Sequence, residues 1–401
     1  MKLLYDLTAT QPSPQSKFHG GGAYGEVVFF KLLEYLDTFH MYCIYDANSY
    51  INPGIMQAIK EHDIPLFDIQ TQNVSSVIQE NGIDRAYSAM LNLNQNWPLD
   101  AVQVYTTVHG LRTIEMPFDK TMLCYEHSAK QKIKDILFMT VAKKVYLKKM
   151  HDINGRIVRD NRIKTITISR HSLASMHSFY PETIKCNIPV FMPPNPPPPS
   201  FKNIKGFLSL EDREFDEMKE LDALHVEPKK YFLMTSAARW IKNTLRAVQA
   251  FDSVFEKGLA TSYKVVVTGV TCKGIFTKGL KSSGNFVFLD YTDRCLQQIL
   301  YKNQYAFVYP SLNEGFGTPP VESMQYGIPV AASGTSAIPE TCGDAALYFD
   351  PYSVSEIRNR IMQLLDSGTY SEYAEKSRNR YKYIATRQEQ DLTALAEYIL
   401  K

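Results

Sequence analysis

Tyr309-Pro-Ser-Leu-Asn-Glu314-Gly-Phe-Gly-Thr318-Pro-Pro-Val-Glu322 is the stretch that decides how this chain is read. The apolar residues 306–309 have the character of a buried strand. Gly315 and Gly317 end it, and Thr318 with Pro319 reads as a helix start, threonine as cap and proline in the first turn. Such a strand–turn–helix aims the backbone N–H groups of Gly315, Phe316, Gly317 and Thr318 at the crevice beyond the strand's carboxyl end, a seat for a diphosphate. Glu314 lies in the loop and Glu322 about one turn into the helix, so two carboxylates flank that seat. Both could accept hydrogen bonds from the vicinal hydroxyls of a sugar or a ribose. By spacing alone a plainer alternative stays open, with Glu322 complementing the helix dipole and Glu314 solvated.

The same alternation runs outward in both directions. Strand-like runs stand at 3–5, 41–45, 65–69, 102–108 and 165–168, then at 231–234, 264–268, 285–289, 306–309, 329–332 and 346–349. Near-continuous apolar strands between helix-like stretches argue for parallel sheets covered on both faces. Two series in 401 residues imply two α/β domains. Residues 187–200, with a run of four prolines, read as a stiff connector that is neither helix nor central strand. An acidic, helix-prone segment at 208–224 follows, and residues 371–401 are helical in composition.

From Pro310 to Pro351 the wording resembles the retaining glycosyltransferases of family GT4. The loop E-G-F-G-x-P-x-x-E is followed by Gly327-Ile-Pro-Val330, Pro339-Glu340 and Gly343-Asp-Ala-Ala346. The segment 235–243, with Arg239, Lys242 and Asn243, looks like the family's basic loop, although Trp240 and Ile241 separate the two cations. The glycine loop at 19–25 and the strand-terminal His109-Gly110 resemble first-domain features of the same family, and Ile168-Ser-Arg-His-Ser172 matches a strand end with no chemistry assigned.

The resemblance implies the GT-B fold, two Rossmann-like domains facing a central cleft. The expected division is 1–190 for the acceptor, 191–375 for the nucleotide sugar, and 376–401 as a helix returning to the first domain. It implies retaining transfer of a hexose from a GDP- or UDP-sugar to a glycan or lipid-linked acceptor in surface polysaccharide assembly. His109, Glu314, Lys242 and Arg239 would serve the chemistry. Gly21, Gly22, Gly315, Phe316, Gly317, Thr318 and Glu322 would hold the donor, with Glu322 on the ribose. No cofactor is expected, and no metal, since no Asp-x-Asp pair is present and protein cations face the diphosphate.

Composition narrows the alternatives. A formal net charge of +2 gives no global attraction to nucleic acid. Six scattered cysteines, without a C-x-x-C pair, read as reduced and mostly buried thiols of a cytoplasmic protein. Neither a signal peptide nor a run long enough to span a bilayer is visible. Gly20, Gly22 and Gly25 satisfy G-x-G-x-x-G, with Asp46 about twenty residues on, which is the NAD fingerprint. That rival reading as an oxidoreductase is disfavoured because residues 6–19 separate the glycines from the first strand. A sugar-nucleotide-binding protein without transfer activity is the other rival.

Seven lysines (130, 132, 134, 143, 144, 148 and 149) crowd one region of the expected first domain, with Asp135 the one acid between them. In the family such a surface docks on anionic lipid at the inner face of the membrane. Lys144 falls on the face of Ile133 and Leu137, so a solvated pair of elements is an equal expectation.

Overall fold

The computed structural model describes residues 1–12, 20–126, 128–194 and 216–401. The chain forms two compact units, one of Met1–Leu111, His151–Asp212 and Ala385–Lys401, the other of Arg112–Met150 and Arg213–Ile384.

The first unit is built on β1 (Lys2–Asp6), β2 (His40–Tyr45), β3 (Leu66–Asp68), β4 (Arg85–Ser88), β5 (Gln103–Val108) and β6 (Ile163–Thr167). They form one sheet in the order β3-β2-β1-β4-β5-β6, every pairing parallel. Leu4, Ile44, Ala86, Val104 and Ile163 bring these strands into one core. The expected strands are present, but β4 was not foreseen. The second half of the helix Ser367–Leu400 closes this unit: Arg85 donates to the carbonyls of Ile399 and Lys401.

The second unit repeats the plan with β7 (Tyr231–Met234), β8 (Lys264–Val267), β9 (Phe286–Phe288), β10 (Ala306–Tyr309), β11 (Val330–Ser333) and β12 (Ala346–Phe349). The order is β12-β11-β10-β7-β8-β9, again all parallel. Phe232, Val265 and Val308 face one core, and Tyr231, Leu233, Phe307 and Val330 the other. Both faces are therefore buried, as the unbroken apolar runs require. In each sheet the strand order reverses once, between β1 and β4 and between β7 and β10. Ligands of such sheets bind outside the carboxyl ends of the strands at that reversal. These are the parallel α/β sheets expected from the sequence.

Several details differ from expectation. The glycine run is helical, not a loop: Gly21, Gly22 and Gly25 lie in the helix Gly20–Leu33, while His19 falls outside the described residues. Gly25 holds that helix close to β1 and to the residue after β4. A Cβ there would meet Thr10 Cγ2 at 2.9 Å and Ala89 Cβ at 3.1 Å, and its carbonyl accepts from the Tyr5 hydroxyl at 2.6 Å. Residues 112–150, read as first-domain sequence, group with the second unit. Only Cys43 and Cys342 of the cysteines are buried; Cys124 and Cys186 are exposed. The acidic segment forms the helix Glu217–Ala223. Its residues 208–215 and the prolines 196–199 lie outside the described residues.

Candidate active site

The reversal between β7 and β10 brings together the two loops singled out in the sequence. After β7 the chain runs through the turn Trp240–Lys242, and Asn243 then adopts a left-handed conformation (φ 57°) that redirects it into the helix Thr244–Glu256. Asn243 is fully buried. Its amide donates to the carbonyls of Pro310 at 3.0 Å and Pro351 at 2.7 Å, which stitches the loops after β7, β10 and β12 together. Leu312 N–H adds a bond to the Ile241 carbonyl at 2.8 Å.

Lys242 and Glu314 meet inside this frame. Lys242 Nζ donates to Glu314 Oε1 at 2.6 Å and to the Tyr309 hydroxyl at 2.9 Å, and it lies over the Tyr309 ring. The two side chains are only 5% and 14% exposed. Ser311 Oγ donates to the same carboxylate oxygen at 2.6 Å. Burial alone would raise the pKa of Glu314. The Lys242 charge, its hydrogen bond and that of Ser311 outweigh it and hold the carboxyl at about 2. Burial draws the Lys242 ammonium down to about 8 against the pull of Glu314, helped by the positive charges of Arg239 and Arg112. Glu314 is thus not the solvated loop carboxylate that the plainer alternative required.

The helix Thr318–Met324 begins one residue earlier than expected. Gly317, at φ 101°, is the cap, and Thr318 is already helical. A left-handed cap needs glycine, and it leaves Pro319 and Pro320 in the first turn, where a missing N–H does no harm. Phe316 is buried, its carbonyl accepting from Thr341 Oγ1. Glu322 projects from this helix, half-buried. Burial raises its pKa, opposed by a hydrogen bond with Tyr301 and by the charges of Arg294 and Lys242.

Arg239 is exposed at the start of the turn that carries Lys242. His109, in the first unit, follows β5. Its Nε2 lies 2.9 Å from the Ala89 carbonyl, so that nitrogen carries the proton, and its ring meets Tyr24 edge-on. Gly21 and Gly22 stand in the first turn of the helix Gly20–Leu33 of the same unit. Among the described residues no cluster of His, Cys, Asp and Glu could hold a metal ion.

Ser311, Arg246 and Asp119 went unforeseen as contributors, and Asn243, named in the basic loop, carried no expected role. Arg246 donates to Asp119 through both terminal nitrogens (3.1 and 3.0 Å) and to Asn243 Oδ1 at 2.7 Å. Asn243 could have been found from its place after Lys242, at a loop-to-helix corner where asparagine tolerates positive φ. Arg246 and Asp119 depend on a contact between residues 127 apart, whereas Ser311 lies three residues before its partner Glu314.

A family model described as Glycosyl transferases group 1 matches residues 217–388. The O-antigen chain mannosyltransferase RfbU of Salmonella typhimurium is 46% identical over 142 residues, which cover 34% of this chain and 39% of that protein. The O-antigen chain mannosyltransferase B of Escherichia coli is 44% identical over 75 residues, 19% of this chain and 20% of that protein. The matched part thus spans between a fifth and two-fifths of these relatives. Among solved structures, a glycosyltransferase from Rickettsia africae superposes with a TM-score of 0.65 at 15% identity, covering 100% of this chain and 98% of the other. WaaG, a glycosyltransferase involved in lipopolysaccharide biosynthesis, gives 0.62 at 12% identity, covering 98% and 99%. Anabaena HepE in complex with UDP gives 0.62 at 14%, covering 99% of each. The fold is that of the GT-B glycosyltransferases, and residues 217–388 are similar to the group 1 glycosyltransferases.

Proposed function

We propose that this chain is a retaining glycosyltransferase that moves a hexose from a GDP- or UDP-sugar to a glycan or lipid-linked acceptor in surface polysaccharide biosynthesis. The buried Lys242–Glu314 pair beside the turn 315–318 carries this reading. It sits at a sheet reversal, where a diphosphate fits. Mannose is the first sugar to try, because the curated relatives are named mannosyltransferases.

In the proposed reaction the acceptor oxygen bonds to the anomeric carbon as the bond from that carbon to the diphosphate breaks. The acceptor proton passes to the departing phosphate oxygen on the same face. Arg239, Lys242 and the backbone of 315–318 stabilise the charge that grows on the leaving group. Glu314 and His109 position the sugar, Glu322 takes the ribose hydroxyls, and Gly21 and Gly22 let the backbone approach the donor. Neither metal nor cofactor enters this scheme.

A thermal-shift panel of UDP-, GDP-, ADP- and dTDP-sugars with NAD tests it. A ligand at a hundred times its Kd adds about 2.7 kcal/mol. One nucleotide sugar should raise the Tm of the native chain and not of Glu322→Ala. Stabilisation by NAD alone, lost in Gly22→Ala, would establish the oxidoreductase reading. Stabilisation by a nucleotide sugar without transfer or hydrolysis would mark a binding protein.

The lysine-rich region forms two helices, Ala129–Met139 and Lys143–Val158. Ile133, Val141 and Val145 are 70, 87 and 69% exposed there. Apolar side chains left in water among seven lysines match an anionic lipid surface, and peripheral docking at the inner face of the membrane is part of the proposal. Among the described residues no helix is long and apolar enough to cross a membrane.

A further inference from the structure

The Lys242–Glu314 pair is internally neutral and almost closed to solvent. The diphosphate of a nucleotide sugar carries about one negative charge on each phosphate at neutral pH, and the free diphosphate more, so a site that holds one there needs positive charge beyond Lys242. Arg239 offers one exposed guanidinium. The structure places a second one on a segment outside the family match.

Arg112 opens the short helix Arg112–Glu115 of the second unit. Two anchors tie that segment to the residues flanking the ion pair. Glu115 Oε2 accepts from Nδ2 of Asn313, the residue before Glu314. Further along, Asp119 takes both terminal nitrogens of Arg246, whose Nη1 also donates to Asn243, the residue after Lys242. Asp119 is 7% and Arg246 15% exposed, so this pair is shielded from the screening that weakens surface ion pairs. Arg246 and Thr121 hold the Asp119 carboxyl below its usual range against the effect of burial. Ile114, buried, fixes the helix between these anchors. The guanidinium of Arg112 is left exposed and hydrogen-bonds to no described residue, yet its charge is felt at both Lys242 and Glu314.

We infer that Arg112 is a phosphate-binding residue of the donor site, its guanidinium joining Arg239 on the diphosphate and its position set by Glu115–Asn313 and Asp119–Arg246. The inference rests on the proposed transferase reading. Arginine suits the task because its planar fork meets two phosphate oxygens at once and keeps its charge at any working pH.

The test titrates the native chain, Arg112→Ala and Arg112→Lys with ADP, GDP, UDP and dTDP, and with the four matching nucleosides, at two salt concentrations. For the diphosphate that the native chain prefers, Arg112→Ala should bind about tenfold more weakly, the loss of roughly one charged hydrogen-bonding partner. Affinity for the matching nucleoside should stay unchanged. Arg112→Lys should fall between, keeping the charge without the fork, and the salt dependence should flatten in Arg112→Ala. Equal diphosphate affinity in the native chain and a folded Arg112→Ala overturns the inference and leaves the transferase reading standing. Equal loss of nucleoside and diphosphate binding also overturns it, since that marks a collapsed site. A native chain that binds none of the four diphosphates overturns both.

Discussion

Lys242 and Glu314, 72 residues apart, bury a single ion pair whose Nζ–Oε1 distance is 2.6 Å. Each side chain meets a second partner, Tyr309 for the lysine and Ser311 for the glutamate. The frame around them thus satisfies both charges before any ligand arrives, and in the proposed reaction it is these fixed residues that meet the charge growing on the leaving group.

Removing one partner of this pair should destabilise the fold. Glu314→Gln leaves the Lys242 ammonium buried without a counter-charge, a change worth about 3–5 kcal/mol in comparable pairs. The double variant Lys242→Met/Glu314→Gln should recover part of that loss. Urea unfolding of the two variants and the native chain checks this, and equal stabilities for the single variant and the native chain would contradict it.

The two pKa values define a pH window. Glu314, held at about 2, contributes stability that is complete above the ordinary carboxylate pKa and drains away as pH falls from there towards 2. Lys242, drawn down to about 8, loses its charge in the folded chain well below its ordinary pKa of 10.5. Between those values the unfolded state binds more protons, so this group's contribution to stability rises with pH. Donor affinity should move the opposite way and fall above about 8. Calorimetric titration across that range should show the fall in the native chain and not in Lys242→Arg; a flat native profile refutes it.

Asn243 should tolerate no close relative. Asn243→Asp turns a double donor into an oxygen facing the Pro310 and Pro351 carbonyls, and Asn243→Gly keeps the positive φ while losing all three side-chain bonds. Losses of about 1–3 kcal/mol per unsatisfied buried group are expected, largest for the aspartate. Thermal unfolding of the two variants gives the order; a more stable aspartate variant would be inconsistent with the bonds described.

The exposed Val141 and Val145 offer a clean assay of lipid docking. Co-sedimentation with anionic vesicles should be lost in Val141→Asp/Val145→Asp and weakened by salt, with donor affinity unchanged. Native protein that ignores anionic vesicles would remove docking from the proposed function.

In the second unit the strands were legible because each is a short, nearly all-apolar run bounded by turn residues, as in Tyr231–Met234 and Ala306–Tyr309. β4 was not, although it lies at the centre of its sheet. Arg-Ala-Tyr-Ser carries a charge at one end and a hydroxyl at the other. What makes it a strand is its neighbours, since it pairs with β1 and β5, and Ser88 donates to the buried Asp6 at 2.6 Å. The glycine run misled for a related reason: Gly25 serves a close helix–sheet contact, which composition does not distinguish from a flexible loop. At the site, the residue types of Lys242, Glu314 and Glu322 could be read. That the first two would neutralise each other, and that Asp119 would reach Arg246 across 127 residues, could not.

The division of the first unit into three stretches bears on how the chain is made. β1 emerges before any strand of the second unit, but Arg85 finds its carbonyl partners 314 and 316 residues later, at Ile399 and Lys401. Met192 N–H likewise waits for Asp391, and the Pro193 carbonyl for Gln388. Of the two units, the one whose strands emerge first therefore closes only after every strand of the second has emerged. Until then Tyr105 lacks the Tyr398 ring that meets it edge-on, and the nascent unit lacks the segment whose Leu395, Ala396 and Ile399 are buried in the folded chain, a state with apolar surface of the kind that chaperones shelter.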